Sequence, residues 1–209
     1  MERSNLPLVA GALSVAACGF TPTGDAPALA DRLAARAHLS VTADSTVDAT
    51  ALARGRAEPI APPVIGGQVV VRTTADGYLL VEDLTLALGD VTLPAGMLGE
   101  APVRFTDLAL TLGTQLAVPV ADAPDAAALV GTGRADLVLD WALVDADGRL
   151  LPLGLRRAPR VPFTVAVTAD ADGTLRADLA SRIDGTAVTI DGTAAIRDVA
   201  LTVASRGSM

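Results

Sequence analysis

A leucine stands at every second position of Asp83-Leu84-Thr85-Leu86-Ala87-Leu88-Gly89. Successive side chains of a β-strand point to opposite faces of its sheet, so this spacing predicts a strand with one buried face. The same pattern, Asp-Leu-x-Leu-x-Leu-Gly, returns at Asp107. A diverged internal repeat would explain the second copy, but convergent strand patterning in a chain rich in Ala, Leu and Thr explains it better. The period of two persists from Gln68 onward and predicts a β-rich domain.

Turns between these strands are marked by Asp-Gly pairs. The glycine tolerates the positive φ of tight hairpin turns, which makes each pair a turn signal. Five pairs occur: Asp76-Gly77, Asp147-Gly148, Asp172-Gly173, Asp184-Gly185 and Asp191-Gly192. The clearest predicted hairpin joins Val161–Thr168 to Thr174–Ile183.

Changes of parity interrupt the alternation. Leu88 and Val91 would face opposite sides of a regular strand, because three positions separate them. An extra residue in a β-bulge would return them to one face, so we expect a bulge near Gly89-Asp90. The same reasoning predicts a second bulge near Arg197-Asp198.

These features predict an all-β fold, a mostly antiparallel meander that forms a sandwich or a strongly curved sheet. Helix signals are scarce, and Asp122–Val130 is the best internal candidate for a short helix or a loop. A transmembrane barrel would carry aromatic girdles at both membrane interfaces. The chain has five aromatic side chains, which argues against such a barrel: Phe20, Tyr78, Phe105, Trp141 and Phe163.

The first residues have the features of a secretory leader. Arg3 and the terminal amine supply positive charge, and an apolar run follows from Leu6 to Ala17. That run is shorter than the roughly 20 apolar residues of a membrane-spanning helix, so it is typical of a cleaved signal peptide.

The apolar run ends in Val15-Ala16-Ala17-Cys18, which resembles the lipobox of bacterial lipoprotein precursors. The resemblance implies cleavage between Ala17 and Cys18, acylation of the Cys18 thiol and a lipid anchor at the mature N-terminus. Gly19 resembles the default pattern for the outer membrane. The alternatives are an ordinary secretory leader cut near Ala17, or an apolar helix with a buried free cysteine.

Three segments follow from these observations. Residues 1–17 are the expected signal peptide, residues 18–67 a tether with a possible short helix or first strand, and residues 68–209 the β-rich domain. The tether is rich in Ala, Pro, Thr and Asp, and a break before the β-rich domain is marked by Pro59, Pro62, Pro63 and Gly66-Gly67.

Composition excludes several kinds of chemistry. All 16 basic residues are arginines, so the chain has no P-loop lysine, no Schiff-base lysine and no Ser-x-x-Lys site. The formal net charge of -8 argues against nucleic-acid binding, which needs a basic face.

No residue set in the sequence points to catalysis or to a metal. His38 is the only histidine and Cys18 the only cysteine, too few to complete the ligand set of a zinc site. Two segments, Asp145-Ala146-Asp147-Gly148 and Asp170-Ala171-Asp172-Gly173, resemble fragments of calcium loops but lack the later acidic ligand. We interpret both as hairpin turns, and we expect no catalytic residue, no metal and no cofactor.

Arg156, Arg157 and Arg160 form the one local basic cluster of this acidic chain. They are a candidate contact for phospholipid headgroups or for an acidic envelope partner. The alternative is a solvated loop.

Together these patterns predict a non-enzymatic lipoprotein of the bacterial envelope, lipid-anchored in the outer membrane, with its domain periplasmic or surface-exposed. Its β-rich domain would bind a lipid, another apolar ligand or an envelope protein. The alternative is a structural or surface-displayed interaction module, and a hydrolase with paired acidic residues ranks last because no pair among 24 acidic residues is singled out.

The lipid anchor can be tested at Cys18. Cys18→Ala removes the thiol that would be acylated, so the variant should leave the membrane fraction and lose labelling by radioactive palmitate. Fractionation and labelling of the wild-type and variant proteins measure this. Persistent lipid labelling of the variant would contradict acylation at Cys18.

Overall fold

The computed structural model of the protein describes residues 29–119, 128–144, 148–152, 154–191 and 194–208. The signal peptide, Cys18 and the calcium-loop segment Asp145–Asp147 lie outside the described residues. Most of the helix or loop candidate at Asp122–Val130 also lies outside them, and its last three residues belong to a strand.

The described residues form one short helix and thirteen strands. The helix, α1, spans Leu29–Arg32. The strands are β1 (Ala37–Val41), β2 (Thr46–Ala53), β3 (Arg56–Ile60), β4 (Val64–Thr73), β5 (Tyr78–Leu88), β6 (Val91–Leu93), β7 (Val103–Leu112), β8 (Leu116–Pro119), β9 (Ala128–Val144), β10 (Leu150–Pro152), β11 (Arg156–Ala169), β12 (Leu175–Asp191) and β13 (Ala194–Gly207). Strands β1 to β3 and the start of β4 fall in the segment where the sequence predicts a tether with a possible first strand.

The sheet closes on itself. Its strands pair in the order β1-β4-β5-β7-β9-β11-β12-β13, and β13 returns to β1 through the pairs Ser40–Arg206 and Val41–Ser205, all antiparallel. These eight described strands therefore form a closed barrel, and the predicted sandwich or strongly curved sheet is wrong. Alternation cannot distinguish these architectures, because closure depends on pairing between strands at opposite ends of the chain.

Shorter strands extend this ring. Along one edge of β13 the partner changes from β1 to β2, which in turn pairs with β3. Along one edge of β5 the partner changes from β7 to β8. Within the described chain, β3 pairs only with β2 and β6 only with β7, so each has one edge without a strand partner.

Three non-glycine residues mark bulges in the long strands. Asp107, Arg160 and Asp198 adopt positive φ angles of 53°, 53° and 50°, and each lies at a shift in strand register. The predicted bulge near Arg197-Asp198 is thus confirmed. The bulge predicted near Gly89-Asp90 is wrong, because β5 ends at Leu88 and β6 begins at Val91, so these two residues connect separate strands.

The leucine-rich patterns lie in strands, and of the Asp-Gly turn predictions that the described residues test, two are confirmed and one is wrong. The two leucine-rich patterns lie side by side, with Leu86 opposite Leu110 on β5 and β7. Turns at Asp76-Gly77 and Asp172-Gly173 connect adjacent strands as predicted. The predicted turn at Asp184-Gly185 is wrong, because this pair lies inside β12 at a register shift, where Gly185 has φ 83°.

One end of the barrel is filled and covered by α1. Leu29 and Leu33 are buried there, above fully buried leucines and valines of the strands. Thr73 ties the helix to β4, since its Oγ1 donates to Ala30 O at 2.5 Å and its backbone N–H donates to Leu33 O at 2.8 Å. The helix thus closes this end of the core.

The outside of the barrel carries charge. Arg104 on β7, Arg134 on β9 and Arg182 on β12 face outward and are exposed, while the inward positions are apolar. A barrel whose outside contacts lipid has the opposite arrangement, with an apolar outer band. The charged outer face is therefore suited to water.

Among the described residues, no helix has the length and apolar character needed to cross a membrane.

Closure of the barrel can be tested at Gly207, the last residue of β13. A Cβ there would lie 2.6 Å from His38 O and 3.2 Å from Leu39 Cα, so alanine forces β13 away from β1. We expect Gly207→Ala to lower the free energy of unfolding by about 1–3 kcal/mol, the usual range for overpacking. Urea unfolding measures the change.

Gly66→Ala is the matched control, because a Cβ at Gly66 meets nothing within 4 Å. Its stability should stay within about 0.5 kcal/mol of wild type. Equal stability of the two variants would show that β1 and β13 do not approach as closely as described.

Candidate functional site

An apolar cavity of about 80 Å³ lies inside the barrel, away from α1. Its wall is built from the inner faces of β2, β5, β7, β9, β11, β12 and β13, with β3 and β6 at one side. At the cavity volume that one buried water requires, this cavity could hold roughly six waters. Leu88 and Val91 both line it, so the break at Gly89-Asp90 brings them to a common side as the parity argument requires.

Small side chains create this space. Seven alanines contribute to the wall: Ala49, Ala51, Ala53, Ala158, Ala187, Ala194 and Ala195. On the same strands nearer α1, the inward positions hold larger residues such as Val165, Leu179 and Val203, which fill the barrel. Inward and outward side chains alternate in the same way around the cavity and nearer α1. The inward side chains around the cavity are smaller than those nearer α1.

Trp141 is the one lining residue, among those the structure describes, whose side chain carries a polar atom. The residue is 3% exposed, and its Nε1 has no hydrogen-bond partner. Its ring stacks on Phe105 with 5.4 Å between the ring centroids and 23° between the planes. A buried indole N–H usually finds an acceptor, so this donor is exceptional.

Sequence reasoning assigned no role to Trp141 or Phe105. The sequence signal that could have placed the indole is alternation along β9. Leu137, Leu139 and Trp141 occupy every second position and therefore share the inner face. That pattern predicts burial of the indole. It does not predict that the indole nitrogen lacks a partner.

The free edges of β3 and β6 border the cavity. Ile60 at the end of β3 and Val91 at the start of β6 both contribute to its wall, and neither edge has a strand partner in the described chain. Next to these edges the barrel wall is joined again by a hydrogen bond, which the Gly89 N–H donates to Pro63 O at 2.7 Å. The wall between β3 and β6 is therefore not joined by strand hydrogen bonds.

The predicted basic contact lies elsewhere, on the outside of the barrel. Arg157 forms an ion pair with Asp136, and the Arg160 backbone N–H donates to Asp136 Oδ1 at 2.7 Å. These bonds, the Arg160 bond above all, hold the pKa of Asp136 below its ordinary value. Arg156 Nη1 donates to Leu155 O at 3.3 Å. Arg160 lies in the β11 bulge and Arg156 and Arg157 precede it, and the bonds of Asp136 to Arg157 and Arg160 stabilise the bulge.

The other residues considered for chemistry are also outside the cavity. His38 is exposed on β1. Asp170 Oδ2 accepts from Arg176 Nε at 2.8 Å, and Asp172 Oδ1 accepts from the Thr174 backbone N–H at 2.9 Å, so both carboxylates stabilise the hairpin turn. In the described ranges no three His, Cys, Asp or Glu residues cluster as a metal site.

The chain matches no family model, and no curated protein matches it in sequence. Among solved structures it is similar to Ail, the attachment invasion locus protein of Yersinia pestis, crystallised with the heparin analogue sucrose octasulfate. The two chains are 5% identical, with a TM-score of 0.48, and the match covers 82% of this chain and 97% of Ail. At a TM-score below 0.5, such a likeness does not indicate what this chain binds.

On the outer face of the barrel, the side chain of Glu82 is 8% exposed. Arg72 donates to it from Nε at 2.5 Å, and Arg36 forms a second ion pair with it. The hydrogen bond from Arg72 is the main reason that the pKa of Glu82 lies below its ordinary value of 4.5.

A lowered folded-state pKa gives a stability contribution that is complete above the unfolded value and is lost as pH falls through the folded value. Glu82→Gln cannot gain a proton, so its urea midpoint should fall less than that of wild type between about pH 6 and pH 3. The control, Glu100→Gln at an exposed position, should keep the wild-type slope. Identical slopes of urea midpoint against pH for all three proteins would show that Glu82 does not contribute to the loss of stability in acid.

Proposed function

We propose that the protein is a non-enzymatic envelope protein whose barrel binds an apolar ligand in the cavity beside Trp141. The observation that carries this proposal is a cavity inside the barrel whose wall is made of aliphatic and aromatic side chains. No ionisable side chain lines the cavity in the described part of the chain, so its wall offers no acid or base for catalysis. Binding therefore fits the cavity better than hydrolysis.

The physical driving force is the removal of apolar surface from water. Each methylene buried by a ligand contributes about 0.8 kcal/mol, and a dry apolar cavity needs no ordered water displaced. The unbonded edges of β3 and β6 offer a route inward, because separating them breaks no strand hydrogen bond between them. Lipids and their fragments are the apolar molecules that an envelope supplies.

The proposal includes the location of the protein. The lipobox-like Val15-Ala16-Ala17-Cys18 supports an acylated Cys18 and a lipid anchor, and Gly19 supports the outer membrane. A charged outer face supports a barrel held in the aqueous space beside the membrane. In this arrangement the Arg157 guanidinium is paired with Asp136, whereas Arg160 contacts Asp136 through its backbone N–H, so the Arg160 side chain is the better candidate contact for headgroups or an acidic partner.

A second candidate function is a structural or surface-displayed interaction module. The size of the cavity favours it, because about 80 Å³ is well below the roughly 300–1,000 Å³ of a site for a drug-sized ligand. In that case the barrel serves as a rigid support, and its loops or outer face contact a partner.

The two functions can be separated by filling the cavity. Ala51 is 3% exposed on its wall, so Ala51→Leu places three additional carbons in the space. The experiment uses Cys18→Ala protein purified without detergent and measures the binding of xenon by NMR titration, because this apolar probe is small enough for the space. We expect the parent cavity to bind this probe and Ala51→Leu to weaken binding at least tenfold, while circular dichroism remains unchanged.

Ala109→Leu is the matched control, because Ala109 faces outward on β7 and does not line the cavity. It should bind the probe as the parent protein does. Native mass spectrometry of the same preparations should show a lipid adduct on the parent and its loss from Ala51→Leu. Absence of both probe binding and adduct in the parent would contradict ligand binding and leave the interaction module.

A further inference from the structure

We infer that the outer face of β9, β11 and β12 carries a second binding site, in which Arg134 and Arg182 hold a phosphate group. This inference goes beyond the proposed binding of an apolar ligand. The two arginines border an open depression on the outside of the barrel, and the residues that line this depression share no member with the wall of the cavity.

Strand register places the two arginines on opposite sides of Pro162. Arg134 of β9 pairs with Pro162 of β11. On the other side of β11, Phe163 pairs with Ser181 of β12. The next residue of β12, Arg182, therefore stands beside Pro162. At about 5 Å for each cross-strand step, the Cβ atoms of the two arginines lie about 10 Å apart, so both side chains can reach one anion above the proline.

The depression is open to solvent. Arg134 and Arg182 are both exposed. The other outward side chains that line it are short or carry a hydroxyl group: Thr132, Pro162, Thr164, Ala180, Ala200 and Thr202. A ligand from solvent therefore reaches the arginines without any opening of the barrel.

Both guanidinium groups keep most of their hydrogen-bond donors. A guanidinium group has five N–H donors. Arg134 Nη1 donates to Arg160 O at 3.1 Å, and Arg182 Nε donates to Asp184 Oδ1 at 2.9 Å. Among the described residues, neither guanidinium group has another hydrogen-bond partner. The Nη atoms of both side chains therefore retain donors for paired bonds to an oxyanion.

The charge of these arginines is only partly balanced. Arg134 has no carboxylate partner in the part of the chain that the structure describes. Asp136, two positions further along β9, is already paired with Arg157. The pair of Arg182 with Asp184 is weak, because the two side chains are 77% and 81% exposed. A bound anion would therefore meet one unpaired and one weakly paired cation.

The arrangement of donors favours a phosphate group over a carboxylate. Arginine binds phosphate through two parallel bonds, and the oxygens of one phosphate group point in different directions. One phosphate group can thus accept from Arg134 and Arg182 on opposite sides and from Thr164, the next outward residue of β11. A carboxylate has only two oxygens, which lie on one side of the group. Lipid headgroups and free phosphate both supply this chemistry.

The test follows the NMR signals of the arginine Nε–H groups in Cys18→Ala protein during titration with inorganic phosphate. Sodium chloride of the same ionic strength serves as the reference titration. Arg104 is the matched control residue, because it is also an outward, exposed arginine with a carboxylate partner, but it does not border the depression. The variants Arg134→Gln, Arg182→Gln and Arg104→Gln assign the three signals.

We expect the Arg134 and Arg182 signals to shift together and to saturate with phosphate but not with chloride, while the Arg104 signal does not follow them. Arg134→Gln should weaken phosphate binding at Arg182 by about tenfold, the effect of losing hydrogen bonds from a charged group. Arg104→Gln removes the same charge from the outer face and should leave binding unchanged. Equal effects of these two variants would overturn the inference, because they would indicate general attraction of anions rather than a site.

A second titration distinguishes the two sources of phosphate. It uses glycerophosphoglycerol, the headgroup of phosphatidylglycerol without its acyl chains, which has no hydrocarbon chain to enter the apolar cavity. Tighter binding of this compound than of inorganic phosphate at Arg134 and Arg182 would support a lipid headgroup as the ligand, and the reverse order would support free phosphate. Absence of saturation with both compounds would overturn the site. That result would leave the proposed cavity binding intact, because xenon binding reports on the cavity separately.

Discussion

The antiparallel contact of Ser40-Val41 with Ser205-Arg206 is the interaction on which the rest of the molecule depends. It joins strands near opposite ends of the described chain and converts an open sheet into a ring. An open sheet would leave two edges with unpaired N–H and C=O groups. Closure removes those edges over this part of the ring. It also surrounds the inner side chains with strands, which shield them from water.

The same contact explains where the cavity lies. Because β1 ends at Val41, β13 continues with β2 as its partner, and β2 turns back into β3 rather than joining β4. The half closed by β1 has a complete ring, and α1 covers it. In the other half the wall passes through the β2–β3 hairpin and ends at an edge without a strand partner in the described chain. The alanine-rich wall and the unbonded edge thus occur together.

Local patterns of the sequence predict local structure well. The leucines of Asp83–Gly89 alternate and are buried on β5, Asp172-Gly173 forms a turn, and the parity change near Arg197-Asp198 produces a bulge. Barrel closure was not predictable, because it depends on which distant strands pair, and alternation is identical in a sandwich. For the same reason the cavity was not predictable: many alanines are evident in the sequence, but their convergence on one space depends on strand register.

Two unfavourable features coincide at Trp141. A cavity of about 80 Å³ corresponds to about 2 kcal/mol of lost packing at roughly 24 cal/mol per Å³. An unsatisfied buried donor costs a further 1–3 kcal/mol or so. A domain of this size has a net stability of only about 5–15 kcal/mol, so together they are a substantial fraction of it. One leucine in place of a wall alanine would reduce the first, and phenylalanine at position 141 would remove the second. A hydrocarbon that fills the space would also reduce the first, but it would leave the second in place, because Nε1 has almost no accessible surface through which an acceptor could reach it.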